Sequence, residues 1–351
     1  MTFEEARSEF PVLERQAYLN AGSSGPLPRA AVEAAQAWLA RDLEQGRSGT
    51  AYIEELAALR EQARAGFAEV VGASPEQIAL TDSTSRGCQI VVAGLGLSPQ
   101  DEVVTTHEEH FGLLGPLRGS GARVVVTAAD EDAILAAVTP RTRLIAVSQI
   151  LWTTGRRLDI ERLRDAGLPV LVDGAQSAGA VAPDLAGADY FTISAQKWLC
   201  APEPTGGLFI REPEHLPVAL PSYLAMTAHE PDGSYTARGG ARRFDSGWLS
   251  GPILSGLLAS LACHPEWRYE RAGEMAARCR ELLEPLVEIV TPPGHSTLVS
   301  FRPAGDAKEL VAALDQRGVV VRDIPGHGLV RASCGWWTNE DDLERLADGL
   351  S

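Results

Sequence analysis

Short runs of Val, Ile and Leu alternate with amphipathic helical patterns through the first two-thirds of the chain, and few architectures accept that rhythm. The candidate strands are QIAL near Ile78, DEVVTT at 101–106, ARVVVT at 122–127, RLIAVS at 143–148, PVLVD at 169–173, YFTI at 190–193 and GLFI at 207–210. Several are continuously apolar, as strands buried on both faces of a parallel sheet must be. Helical patterns such as AAVEAAQAWLARDLEQ and IEELAALREQARAGFAEVVG lie between them. The alternation predicts an α/β fold built on a central sheet.

The texture changes after Arg211. Residues 212–250 are rich in Pro, Gly and Ser and read as an irregular connection. From Ser250 two long helical patterns follow, then a β-α-β-β-α sequence: TLVSF, AKELVAALDQRG, VVVRD, LVRASC and NEDDLERLADGL. A chain of 351 residues is long enough for a large domain and a smaller one. The expected division is an N-terminal segment at 1–20, a large domain at 21–249 and a compact α+β domain at 250–351.

Charge narrows the partners. The net charge of -16 argues against nucleic acid or an anionic membrane surface. There is no long uninterrupted apolar run, and the opening MTFEEARSEF is acidic rather than a signal peptide, so a soluble cytoplasmic protein is expected. Five cysteines, Cys88, Cys200, Cys263, Cys279 and Cys334, are scattered and never form a C-x-x-C pair. That pattern fits reduced, buried thiols and provides no structural zinc site.

Two polar residues interrupt the apolar runs. Asp173 ends one strand and Lys197 follows the next, at the carboxyl edge where open α/β sheets bind ligands. An Asp there also serves as a turn or cap residue. An Asp beside a Lys suits a buried salt bridge, and equally a pyridoxal phosphate (PLP) site, where lysine forms the Schiff base and the Asp holds the ring nitrogen protonated. Such a site needs a phosphate cradle. Ser83, Thr84 and Ser85 in LTDSTSRG offer one, at a strand end where a helical pattern begins. His107 and His110 stand one helical turn apart in THEEHF, but H-E-x-x-H is absent and no third ligand is evident, so no metal is expected.

Together these motifs resemble fold-type I PLP enzymes of the class V aminotransferase and cysteine desulfurase family, nearly end to end. The resemblance is carried by YLNAGSSGPLP at Tyr18–Pro28, DSTSRG, EEH, VDGAQSAGAV, SAQKWL and VRASCGWWTNEDDLERL. It implies a large domain with a mainly parallel seven-stranded sheet, a smaller C-terminal domain and a homodimer with sites near the interface. It also implies PLP on Lys197, with Asp173 as partner of the ring nitrogen, Gln176 reaching the phenolic oxygen and His110 stacking on the ring. Ser83, Thr84, Ser85, Ser194 and Gln196 become phosphate contacts, with Gly247 reaching a neighbour's phosphate. Arg331 is implied as the grip on a substrate α-carboxylate, and Asn20 and Trp152 as further substrate contacts.

Three departures from the family pattern bear on function. Gln196 stands where a His usually precedes the lysine. Trp152, in QILWTTG, is near the position of an Asn, and Trp248, in FDSGWLSG, follows Gly247 where a Thr is usual. Two tryptophans suit either a more apolar substrate pocket or packing at a dimer interface. The stretch VVVRDIPGHGLVRASC holds no Cys before Arg331, unlike persulfide-forming desulfurases. The resulting expectation is a C–S lyase acting on a small cysteine-type amino acid, with transamination or racemisation as alternatives on the same scaffold.

Overall fold

The computed structural model describes residues 1–350. Its centre is a seven-stranded sheet of β1 (Ile78–Thr81), β2 (Glu102–Thr106), β3 (Arg123–Thr127), β4 (Thr142–Ser148), β5 (Val170–Asp173), β6 (Tyr190–Ser194) and β7 (Gly206–Ile210), in the order β1-β7-β6-β5-β4-β2-β3. All seven runs read from the sequence are present and share this one sheet. Neighbours are parallel except β7, which runs antiparallel to both β1 and β6.

The continuous apolar runs are explained by burial on both faces. Ile145, Val147, Val170, Val172 and Ile193 face one layer, where helix α2 (Thr50–Val71) contributes Phe67 and Val71. Their alternate neighbours Leu144, Ala146 and Leu171 face the other, against Ile90 and Val91 of α3 (Thr84–Gly94) and Leu113 and Leu117 of α4 (Phe111–Gly119). Each such Val, Leu, Ile or Phe side chain, fully removed from water, contributes about 1.5–3 kcal/mol before entropy is counted.

Helix α1 (Arg29–Gln45) lies outside, packed on α5 (Gly251–Ala262). Leu254 and Leu257 of α5 join the same core as Phe67 of α2, so this helix leans on the large sheet domain rather than on the chain that follows it. After α6 (Arg268–Leu283) comes a four-stranded antiparallel sheet: β8 (Glu288–Ile289), β9 (Leu298–Arg302), β10 (Arg322–Ile324) and β11 (Leu329–Ser333), in the order β8-β9-β11-β10. Helices α7 (Ala307–Gln316) and α8 (Glu340–Leu350) cover it. The N-terminal segment belongs to this sheet's core: Ala17 and Tyr18 pair with Val319 and Val320, and Leu19 packs beside Val330.

The stretch 212–250 is mostly irregular, with one hairpin the sequence reading missed, Met226–His229 paired with Tyr235–Ala237. Its end is anchored by Asp245, buried between Arg60 and Arg64 at 2.8 Å each and accepting the Leu80 amide at 2.8 Å. No helix among the described residues is long and apolar enough to cross a membrane.

Candidate active site

Six strands point their carboxyl ends to one edge of the sheet, and the chemistry collects there. Thr106, Ser148, Asp173 and Ser194 are the last residues of β2, β4, β5 and β6, and Ser83 follows β1 by two positions. A cavity of about 260 Å³ opens at this edge, lined by Ser83, Thr84, Ser85, His110, Trp152, Asp173, Gln176, Ser194, Gln196, Lys197 and Arg331. Eleven residues picked from separate motifs therefore meet in one place. The structure adds Gly22, Ser23, Ser148, Ile150, Ala175 and Arg322.

Lys197 sits in the tight turn after β6, half-buried. Burial lowers its amine to about 8, as do Arg331 and Arg322, while Asp173 opposes them. An amine near 8 is about a tenth free at pH 7, far more than an ordinary lysine, which favours attack on an aldehyde. The turn is held from outside by the segment GSSG: the Gly25 amide donates to Gln196 O at 2.8 Å. A Cβ on Gly25 would lie 2.1 Å from Lys197 O, so only glycine permits this approach.

Asp173 is buried and accepts from the Ala175 amide at 3.0 Å and the Thr192 hydroxyl at 3.2 Å, both on Oδ1. Oδ2 takes no hydrogen bond from the described residues. Gln176 is fixed in orientation, because the Trp198 indole donates to its Oε1 at 3.1 Å and its Nε2 donates to Gly22 O at 2.9 Å. One amide proton remains for the cavity. His110 caps α4 through Nδ1, which accepts the Gly112 amide at 3.0 Å, and its ring meets Trp152 edge-on at 5.3 Å. Partial burial and the Lys197 charge hold this imidazole below the usual histidine range.

The expected phosphate cradle falls at the N-terminus of α3. Ser83 caps it, its hydroxyl accepting from the Arg86 amide at 3.2 Å and donating to Asp82 at 2.7 Å. Thr84 and Ser85 keep free amides and hydroxyls, the donor set an anion needs. Across the cavity the Ser194 hydroxyl donates to Gln196 Oε1 at 2.9 Å.

Arg331 is fully buried on β11. Its Nη1 donates to Trp152 O at 2.7 Å, and its Nε and Nη2 have no partner. Burial and neighbouring Arg322 pull its guanidinium down to about 9. Gly22 covers it so closely that a Cβ there would lie 2.6 Å from Nη2. Arg322 Nη1 donates to the Ser23 hydroxyl at 3.0 Å, and its guanidinium carbon stands 6.0 Å over the Trp152 ring. A buried cation with two orphaned donors calls for an anion.

Asn20, an expected substrate contact, does not line this cavity; Gly247, expected against a neighbour's phosphate, and Trp248, open between pocket and interface, lie outside it too. The Asn20 carbonyl oxygen is spent on the Ser23 hydroxyl at 2.8 Å. Gly247 lies beyond Asp82, with φ 70°, and Trp248 is 61% exposed on a separate groove beside Tyr223. Trp152 alone of the two tryptophans walls the cavity. Arg322 was the main omission, although it precedes Arg331 by nine residues on the adjoining strand of the same hairpin.

The donor set fits PLP: an amine for the aldehyde, an open carboxylate oxygen for the ring nitrogen, an amide proton for the phenolic oxygen and a helix N-terminus for the phosphate. Comparison with known proteins agrees. The sequence profile of the family described as Aminotransferase class-V matches residues 17–346. The fold superposes with a TM-score of 0.90 on the cystine C-S lyase C-DES in complex with cysteine persulfide, at 28% identity over 97% of this chain and 98% of that one. A C-DES variant with glycine covalently linked to its PLP cofactor gives 0.91 at 27% identity, covering 98% of each chain. Isopenicillin N epimerase of Streptomyces clavuligerus is 28% identical over 99% of this chain and 97% of its own. The chain belongs to the class-V aminotransferase family and is a PLP-dependent enzyme.

Proposed function

We propose that the enzyme is a C–S lyase that eliminates the β-substituent of a cysteine-type amino acid bearing a second carboxylate, as cystine does. The observation that carries this reading is the cavity's inventory, one amine and two unpaired arginines without a thiol. All five cysteines are free and buried, and Cys334, three residues beyond Arg331, is raised well above the usual thiol range by its contact with Cys279 and by burial. A sulfur-accepting nucleophile therefore has no candidate at this site.

Bound PLP supplies the electron sink that makes an α-proton removable. Arg331 orients the α-carboxylate with its two free donors, and Arg322 receives a carboxylate farther along the substrate. Lys197 takes the α-proton as general base. The C–H electron pair becomes the Cα=Cβ double bond, and sulfur departs with the Cβ–S pair. The aminoacrylate set free hydrolyses to pyruvate and ammonia.

A homodimer completes this reading. Phe111, Tyr223 and Trp248 are 76%, 74% and 61% exposed, and an apolar groove of about 810 Å³ between α3 and α4 adjoins the cavity through Ser85 and His110. A second copy there covers apolar surface and brings its Gly247 toward the phosphate cradle. Five reduced cysteines suit a cytoplasmic location.

The test is product analysis with L-cystine, L-cysteine and an S-aryl cysteine. Pyruvate without alanine supports the lyase. Alanine means desulfuration, a keto acid retaining its side chain means transamination, and an inverted α-carbon without products means racemisation. Each of these three overturns the proposal.

A further inference from the structure

Glu109 has no part in the scheme above. It lies between β2 and His110, and only 5% of it reaches solvent. No lysine or arginine is bonded to it among the described residues. It accepts instead from the Thr106 hydroxyl at 2.8 Å, the Ser148 amide at 2.9 Å and the Ser148 hydroxyl at 2.6 Å. The last is short enough for a charge-assisted O–H···O bond. Ser148 pairs in register with Asp173 at the ends of β4 and β5, and both line the cavity.

The consequence is a polarity fixed at the cavity floor. A serine hydroxyl has one proton, and here Glu109 holds it. While Glu109 is ionised, Ser148 can therefore show the cavity only lone pairs. Two carboxylates, one open and one hidden, stand behind the same strand ends, and neither is paired with a cation of the chain.

We propose that Glu109 is a positioning residue: acting through Ser148, it fixes an acceptor and a second negative charge beside Asp173, and so tightens the hold on a protonated ring nitrogen. The inference rests on the cofactor site and not on the reaction type, so a failed lyase assay leaves it standing. The titratable groups facing Glu109 are Asp173 on β5 and the Cys88 thiol on α3, which burial and the two carboxylates keep neutral. Asp173 in turn faces Lys197 across the cavity and favours its charged form. Burial pushes the Glu109 carboxyl up to about 7, Asp173 adds to the rise, and the Ser148 and Thr106 bonds oppose it.

Glu109→Gln separates charge from hydrogen bonding. The amide oxygen can still accept both Ser148 donors, and the amide nitrogen can donate to Thr106. Because the folded carboxyl lies above its ordinary value of 4.5, its contribution to stability is full below that pH and is lost as pH rises through about 7. Cofactor-free Glu109→Gln should therefore melt higher than the parent at pH 8, with the gain shrinking toward pH 5.5.

The decisive readout is a pH titration of the holoenzyme's visible absorption. Glu109→Gln should move the midpoint down by about half a unit, roughly threefold in proton affinity. Ser148→Ala should move it the same way, and the double variant no farther than Glu109→Gln alone. An unmoved midpoint in Glu109→Gln, or shifts that add in the double variant, would overturn the proposal and leave Glu109 as a latch for the His110 loop. Should Glu109→Gln fail to fold, an unmoved midpoint in Ser148→Ala alone would do the same.

Discussion

Arg322 and Arg331 stand directly opposite each other on adjacent antiparallel strands, and both line the active-site cavity. Like charges so placed repel, and neither is paired with a carboxylate of the chain among the described residues. Arg331 is the more costly, being fully buried with two orphaned donors. A ligand carrying negative charge would supply what this pair lacks. The half-exposed Arg322 has room to meet a group farther from the reacting carbon.

Arg331→Ala should lower kcat/KM for amino acids by about 10- to 200-fold, the loss of a charged, bidentate contact of about 1.5–3 kcal/mol. Amine substrates lacking the carboxylate should be little affected. Arg322→Ala should weaken cystine far more than an S-alkyl cysteine with a single carboxylate. An equal loss for all substrates in either variant would mark that arginine as structural.

Asp173→Asn should retain bound cofactor yet lose about two orders of magnitude or more in turnover, because an unprotonated ring is a poor electron sink. Absorption spectra report retention, and steady-state assays report the loss. Near-parental turnover would remove Asp173 from the site.

The Lys197 amine lies near 8, and only its free form adds to an aldehyde. Cofactor uptake by the cofactor-free protein should therefore accelerate as pH rises and level off above about 8, as followed by stopped-flow absorbance. A rate still climbing steeply beyond pH 10 would mean that burial and the two arginines do not lower this amine.

Arg64→Ala should destabilise the fold by about 3–5 kcal/mol, since it leaves Asp245 buried with half its compensation. Chemical denaturation measures this. The same change should loosen the segment ending at Gly247, so sedimentation should show weaker association of the proposed dimer.

Much of the site was legible because its key residues interrupt regular patterns. Asp173 ends one apolar run and Lys197 follows the next, and successive parallel strands bring their carboxyl ends to the same sheet edge. The helix N-terminus proposed as the phosphate cradle was legible from the cap that Ser83 supplies. Arg322 was not, because VVVRD reads locally as a strand ending in solvated charge, and only pairing with β11 turns it inward. Glu109 was hidden in HEEH, an acidic run that reads as surface until Ser148 and Thr106 are seen around it. Asn20 was placed by motif position alone, and Trp248 was left between a pocket and an interface. The chain there serves a turn and an exposed surface, which depend on contacts distant in sequence.

The central claim is that the cavity's lysine carries the cofactor. The chain contains only two lysines, Lys197 in the cavity and Lys308 exposed on the first turn of α7, which makes the measurement sharp. The holoenzyme is reduced with borohydride, digested, and mapped by mass spectrometry for the phosphopyridoxyl adduct. One adduct per chain, on the peptide containing Lys197 and absent in Lys197→Ala, is the expected result. An adduct confined to Lys308, or persisting in full in Lys197→Ala, would contradict the account.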